Sequence, residues 1–194
     1  MINSGMSWNA RPADTAPHPN AFTGAAPLRS EPISAPHVVI VGAGFAGLAC
    51  ARSLDGAPVR VTLLDRENHH CFQPLLYQAA TAALAPNEVA WPIRGVMGRA
   101  RNVTTLLAEV TGIDLARRRV EAEDIQLSYD YLVLAIGVTH AYFGHDEWAP
   151  FAPGLKRIED ATDIRRRLLE SFERAARTDD ADERRRLTTF VIVG

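Results

Sequence analysis

The sequence predicts an α/β fold, a parallel sheet carrying an antiparallel β excursion, and three observations carry that prediction. Two β-branched apolar runs, Val38-Val39-Ile40-Val41 and Val59 to Leu64, flank a small apolar stretch of helical length. A further run, Tyr131 to Ile136, is apolar throughout and stops at Gly137. Between them, Val110 to Leu127 interleaves apolar pairs with charges. Continuous apolar runs suit strands covered on both faces, whereas interleaving suits antiparallel strands with one face in water.

The elements follow in order. Residues 1–36 are rich in Pro, Ala, Ser and Asn without an apolar period and read as a disordered leader. Val38 to Val41 is the first strand, Gly42 to Gly47 a glycine turn, and Phe45 to Leu54 a helix ended by Asp55-Gly56. The second strand, Val59 to Leu64, closes at Asp65. Pro74 and a polar cluster make Asn68 to Gln78 a loop, and Val89 to Gly98 a short helix with Pro92 near its start. Val103 to Leu107 is the third strand. Val110 to Leu127 then supplies two or three antiparallel strands around a Gly112-Ile113-Asp114 turn. After the Tyr131 strand, Ala141 to Gly154 is loop. A helix begins at Asp160, its expected N-cap, with Ile164, Leu168 and Phe172 as one apolar stripe. Thr178 to Glu183 is a polar break, and Thr189 to Val193 a last strand that echoes the first.

Composition narrows the function. The 194 residues carry a net charge of -2, so nothing points to nucleic acid. The arginine triplets at 117–119, 165–167 and 184–186 are expected on solvated faces. The two cysteines, Cys50 and Cys71, form neither a disulfide framework nor a zinc pattern, and no metal site is expected. No apolar run approaches the roughly 20 residues of a spanning helix.

The chemistry sits in Gly42-Ala43-Gly44-Phe45-Ala46-Gly47, a G-x-G-x-x-G between a strand and a helix. Gly42 allows the tight turn, Gly44 lets backbone approach a diphosphate, and Gly47 lets the helix pack on the strand. The helix N-terminus offers free N–H groups and partial positive charge to the phosphates. Asp65 ends the next strand, where a carboxylate can accept both hydroxyls of an adenosine ribose. Together these predict a Rossmann-like dinucleotide site; the alternative is a glycine-rich turn in an unrelated α/β protein. The spacing does not separate FAD from NAD. Gly137, at the end of an expected buried strand, can lay backbone against the same ligand; the alternative is an ordinary core strand ending at a turn. His69-His70 is expected to be structural, Cys50 to be core, and Cys71 to lack a resolving thiol.

The blocks HVVIVGAGFAGLACARSL, VTLLDRENHHCFQPLLYQAATAALAPNEVAWPIR, EVTGID, YDYLVLAIGVTHAYFGHDEWAPFAPGLK and FVIVG resemble type II NADH dehydrogenases, the non-proton-pumping NADH:quinone oxidoreductases. The resemblance spans Pro36 to Gly194. It implies an FAD-binding domain interrupted by an NADH-binding domain, with NADH reducing the flavin and the flavin reducing a quinone. It implies that Gly42, Ala43, Gly44, Phe45, Ala46 and Gly47 hold the diphosphate and that Asp65 holds the ribose. Arg66 would lie by the adenine end, Gln73 near the flavin, and Val110 against the adenine, with Ala135 to Gly137 closing over the cofactor. No residue is assigned as catalytic. Residues 37–154 would be the first segment of the FAD domain, 155–187 a connecting helix, and 188–194 the first strand of a truncated NADH domain. The intact protein is expected to be cytoplasmic, on the inner face of the membrane, as a peripheral protein and a candidate homodimer.

Two departures accompany the resemblance. The usual Ala-Thr-Gly is Ala135-Ile136-Gly137 here, so a threonine hydroxyl is absent. The chain also stops where the second glycine motif is expected, which reads as a fragment whose Tyr131 strand lacks an outer neighbour and whose Phe190 strand lacks a sheet. A non-catalytic FAD-binding half-domain, or an inactive remnant of such an enzyme, is the alternative. A disulfide reductase or sulfide:quinone reductase is disfavoured by the lack of a cysteine pair.

Overall fold

A computed structural model describes residues 35–193, so nearly all of the expected leader lies outside the described residues. The central sheet is built from β1 (His37–Val41), β2 (Arg60–Asp65), β5 (Val103–Leu107) and β9 (Tyr131–Leu134), all parallel, in the order β5-β2-β1-β9. The strand that opens the motif therefore sits inside the sheet, and all five of its residues are buried.

Alternate residues of β1 serve two cores. Val38 and Ile40 pack with Leu48 and Ala51 of α1 (Phe45–Ser53) and with Ile93 and Met97 of α4 (Ile93–Met97). Val39 and Val41 face the other way, against Val120 and Ala122. Those two belong to β7 (Arg119–Ala122), the middle strand of an antiparallel sheet completed by β6 (Val110–Asp114) and β8 (Ile125–Ser128). The result is helices, parallel sheet and antiparallel sheet in three layers; β9, expected as a buried strand, is instead exposed at Tyr131 and Leu134 because it lies at the sheet edge. Each fully buried aliphatic side chain here contributes about 1.5–3 kcal/mol.

A third cluster joins Leu76, Ala79 and Ala80 of α2 (Leu76–Ala80) and Val89 of α3 (Pro86–Val89) to Ala161 of α5 (Ile158–Arg177). Cys50 packs against the first cluster, as expected of a core cysteine.

Several local expectations are corrected. The expected loop at Asn68 to Gln78 contains β3 (His69–Cys71), a 3₁₀ turn at Gln73–Leu75 and the start of α2. The strand β3 exists because β4 (Ala90–Pro92) pairs with it antiparallel, and Pro74 takes a helical N-terminal position where its missing N–H costs nothing. That same pairing shortens the Val89–Gly98 helix to α4. Gly112 to Asp114 is not a turn but part of β6, with a register shift between Val110 and Gly112. The turn falls instead at residues 115–118.

Asp160 does not take the N-cap position of α5, which is Arg157; its carboxylate accepts the Lys156 and Arg157 amides from within the first turn. The connecting segment holds two helices rather than one, because Asp180 caps α6 (Ala181–Leu187) inside the expected polar break. Residues 188–193 form no strand, since no sheet edge pairs with them. Of the arginines expected on solvated faces, Arg165 is instead half-buried and donates to the Leu84 carbonyl at 2.9 Å, whereas Arg167 and Arg184 are exposed as expected while donating to the carbonyls of Pro150 at 3.1 Å and Thr178 at 2.6 Å.

Two side chains tie distant segments together. The imidazole of buried His37 lies 2.6 Å from the Ser128 carbonyl and 2.8 Å from the Thr62 hydroxyl, and its backbone amide donates to Asp130. Burial, followed by the nearby Arg60 charge, lowers the His37 pKa from its ordinary 6.5. Asn102 donates its amide to the carbonyls of Leu54, Ala57 and Val59 and accepts from Gly56, holding the α1–β2 connection.

Candidate functional site

The site lies where β1, β2 and β9 end, at the carboxyl edge on which parallel sheets bind ligands. β1 runs into Gly42, whose amide donates to the Leu64 carbonyl at 2.7 Å. Gly42 has φ +100°, and a Cβ there would stand 2.3 Å from the Ala135 carbonyl oxygen. Only glycine meets both constraints. A Cβ on Gly47 would stand 1.7 Å from the Gly42 carbonyl oxygen, so α1 is seated directly on the turn. A Cβ on Gly44 would meet nothing within 4 Å. That glycine is the open side of the turn.

Helix α1 starts from Gly44 with no side-chain cap and no acidic residue in its first turn. Its leading amides therefore keep their hydrogens and partial positive charge for a ligand. Asp65 reaches the same turn. Its Oδ2 accepts from the Ala43 amide at 2.5 Å and its Oδ1 from the Glu67 amide at 2.8 Å. Asp65 also lines both cavities described next, and each carboxylate oxygen can accept a second hydrogen bond.

Two cavities of about 600 and 610 Å³ share Gly42, Asp65, Arg66 and Gly137 in their walls. The first extends to Val110 and Ile113 of β6; the second passes Ala43 to Ala46 and reaches His70, Gln73, Ala135 and Lys156. Of the residues expected from the sequence, Gly42, Ala43, Gly44, Phe45, Ala46, Asp65, Arg66, Gln73, Val110, Ala135 and Gly137 all line one or both. Gly47 stands behind the turn. Ile136 lines both cavities, giving apolar surface where the departure from Ala-Thr-Gly removes a hydroxyl.

Sequence reading missed several wall residues. His70 is buried, with Nδ1 3.1 Å from the Ala43 carbonyl and its ring edge-on to Phe45 at 5.1 Å. Lys156, Arg157 and Glu159 come from the start of α5, brought over by the Gln73 side chain, which donates to the Lys156 carbonyl, and by an Arg157–Glu67 ion pair of 2.6 Å. Nothing local in the sequence signals those partnerships, which span more than 80 residues.

Glu67, His69 and Glu159 place ligand atoms within 4.8 Å of one another. The Arg157 guanidinium already pairs with both carboxylates, so the cluster reads as an ion-pair group. Cys71 also lines the second cavity; burial, then the Glu159 charge, pushes its thiol pKa up, away from a reactive thiolate.

The residues fit an FAD. An open glycine faces the first turn of a helix, a carboxylate stands beside it, and the joined cavities run to either side within the usual size of cofactor pockets.

Comparison with known proteins gives a consistent picture. A family model described as pyridine nucleotide-disulphide oxidoreductase matches residues 36–194. The chain is 45% identical over 174 residues to a type II NADH:quinone oxidoreductase of Mycobacterium tuberculosis, covering 86% of this chain and 38% of that one. It is 31% identical to an external alternative NAD(P)H-ubiquinone oxidoreductase of Arabidopsis thaliana mitochondria, covering 81% and 29%. The chain thus spans about a third of the length of the curated relatives it matches. Its structure resembles NDH2 of Plasmodium falciparum in complex with NADH, with a TM-score of 0.69 at 25% identity, over 77% of this chain and 32% of that one.

Proposed function

We propose a function from an established membership: this chain belongs to the pyridine nucleotide-disulphide oxidoreductase family. Within it, the chain supplies the FAD-holding part of an NADH:quinone oxidoreductase of the type II, non-electrogenic kind. The observation that carries this reading is the Asp65 carboxylate hydrogen-bonded to a glycine turn whose Gly44 flank is open. Identity of 45% to a mycobacterial type II NADH:quinone oxidoreductase supports the choice of reaction.

FAD bound here would supply the redox chemistry that links NADH to a quinone. The chain's own residues bind and orient. Backbone amides of Gly44 to Gly47 hold the diphosphate, Gly42 and Gly137 allow close backbone approach, and Asp65 accepts the ribose hydroxyls. Arg66 and Val110 frame the adenine end, while Gln73 and Ala135 bound the flavin end. Residues 37–154 serve as the first segment of the FAD-binding domain, 155–187 as the connector, and 188–194 as the start of an NADH-binding domain. Pairing of two copies and peripheral contact with the inner membrane face complete the reading. Among the described residues, no helix is long and apolar enough to cross a membrane.

The test is direct. The purified chain takes up FAD and turns yellow, and a version extended to the length of its relatives bleaches with NADH and recovers on adding quinone. Failure of both versions to hold FAD sinks the proposal.

A further inference from the structure

We propose that His70 is a positioning residue of the phosphate turn: its Nδ1–H donates to the Ala43 carbonyl and so holds the Gly44 amide hydrogen toward the ligand. The proposal rests on the FAD reading above and extends it to a residue outside the glycine motif. A carbonyl can only accept, so the 3.1 Å contact between His70 Nδ1 and the Ala43 oxygen requires the proton on Nδ1. The bond joining Ala43 to Gly44 is trans, and in a trans peptide the C=O and the next N–H point in opposite directions. Fixing the Ala43 carbonyl on His70 therefore aims the Gly44 N–H away from His70.

That N–H makes no hydrogen bond among the described residues, and Gly44 lies in the wall of the second cavity. The two ends of Ala43 are thus both held by side chains from the β2–β3 region. Asp65 takes its N–H, and His70 takes its carbonyl. The imidazole is itself fixed. It is 8% exposed, it carries the Phe45 ring at 90° and 5.1 Å, and Phe72 backs Phe45 at 5.4 Å. The His70 side chain has one hydrogen bond among the described residues, and no buried side-chain nitrogen or oxygen lacks a partner. Its Nε2 therefore reaches solvent. This leaves the ring free to use Nδ1 as its donor.

Two measurements on the full chain test this. Long-range proton–nitrogen NMR correlations, recorded where the imidazole is neutral, are expected to place the His70 proton on Nδ1. A proton on Nε2 overturns the proposal, and this readout needs no ligand. Titrations with FAD, ADP and adenosine form the second arm. His70→Leu is expected to weaken both diphosphates about tenfold or more while leaving adenosine unchanged, because only the diphosphates use the oriented amide. His70→Asn, whose side-chain amide can stand in for Nδ1–H, is expected to restore most of that affinity. Equal losses for adenosine and ADP, or a His70→Asn no better than His70→Leu, overturn it. A wild-type chain that binds none of the three ligands sinks the FAD reading instead, and the tautomer then decides His70 alone.

Discussion

The Oδ2 atom of Asp65 lies 2.5 Å from the backbone nitrogen of Ala43, so the end of β2 is hydrogen-bonded to the turn that leaves β1. This contact places a carboxylate beside the proposed diphosphate cradle and also fixes the shape of the glycine turn. Asp65→Ala is expected to weaken FAD binding roughly 10- to 100-fold, the equivalent of losing charge-assisted hydrogen bonds to a ribose. Quenching of flavin fluorescence on titration measures it. An unchanged affinity removes Asp65 from the site.

The three glycines of the motif are expected to fail differently. Gly42→Ala forces a Cβ to 2.3 Å from the Ala135 carbonyl at a φ of +100°, and Gly47→Ala forces one to 1.7 Å from the Gly42 carbonyl. Each is expected to cost about 3 kcal/mol or more, read as a lowered midpoint in urea unfolding. Gly44→Ala meets no protein atom within 4 Å. It is expected to leave stability within about 1 kcal/mol while reducing FAD affinity, because its methyl group intrudes only on the ligand.

His37 gives stability a pH dependence of known sign. Its folded pKa is depressed below the ordinary 6.5, first by burial and then by Arg60. In the interval between the folded and unfolded values the unfolded chain holds the extra proton, so stability rises with pH there. The contribution is whole above about 6.5 and is lost as pH falls through the interval. Urea midpoints measured from neutral to mildly acid pH are expected to fall less steeply in His37→Gln than in the wild type.

Asn102→Ala is expected to destabilise the chain by about 2 kcal/mol, since three carbonyls and one amide of the α1–β2 connection lose their shared partner. A domain of this size then melts roughly 4–8 °C lower. A shift under one degree would mean that water replaces the amide fully.

What the sequence disclosed follows the range of the interactions. The β1–turn–α1–β2 unit was readable because its signals are local: β-branched runs, obligatory glycines, and an acid at the strand's end. The antiparallel excursion was readable from its interleaving, although Gly112 suggested a turn where β6 instead carries a register shift. The β3–β4 pair was hidden, since strands of three residues have no period and exist only through each other. His70 and Arg157 were hidden for the same reason. Each acquires its role from a residue 27 or 90 positions away.

The position of β1 inside the sheet also bears on how the chain is made. Its first neighbour, β2, follows within a short helix, but its second, β9, arrives only after the antiparallel sheet, with 93 residues separating His37 from Asp130. At ordinary ribosome speeds of about 5–20 residues per second, that interval lasts roughly 5–20 seconds. During synthesis the strand that is most fully buried among the described residues thus waits with one flank bare, and its extended apolar backbone is open to mispairing between those two events.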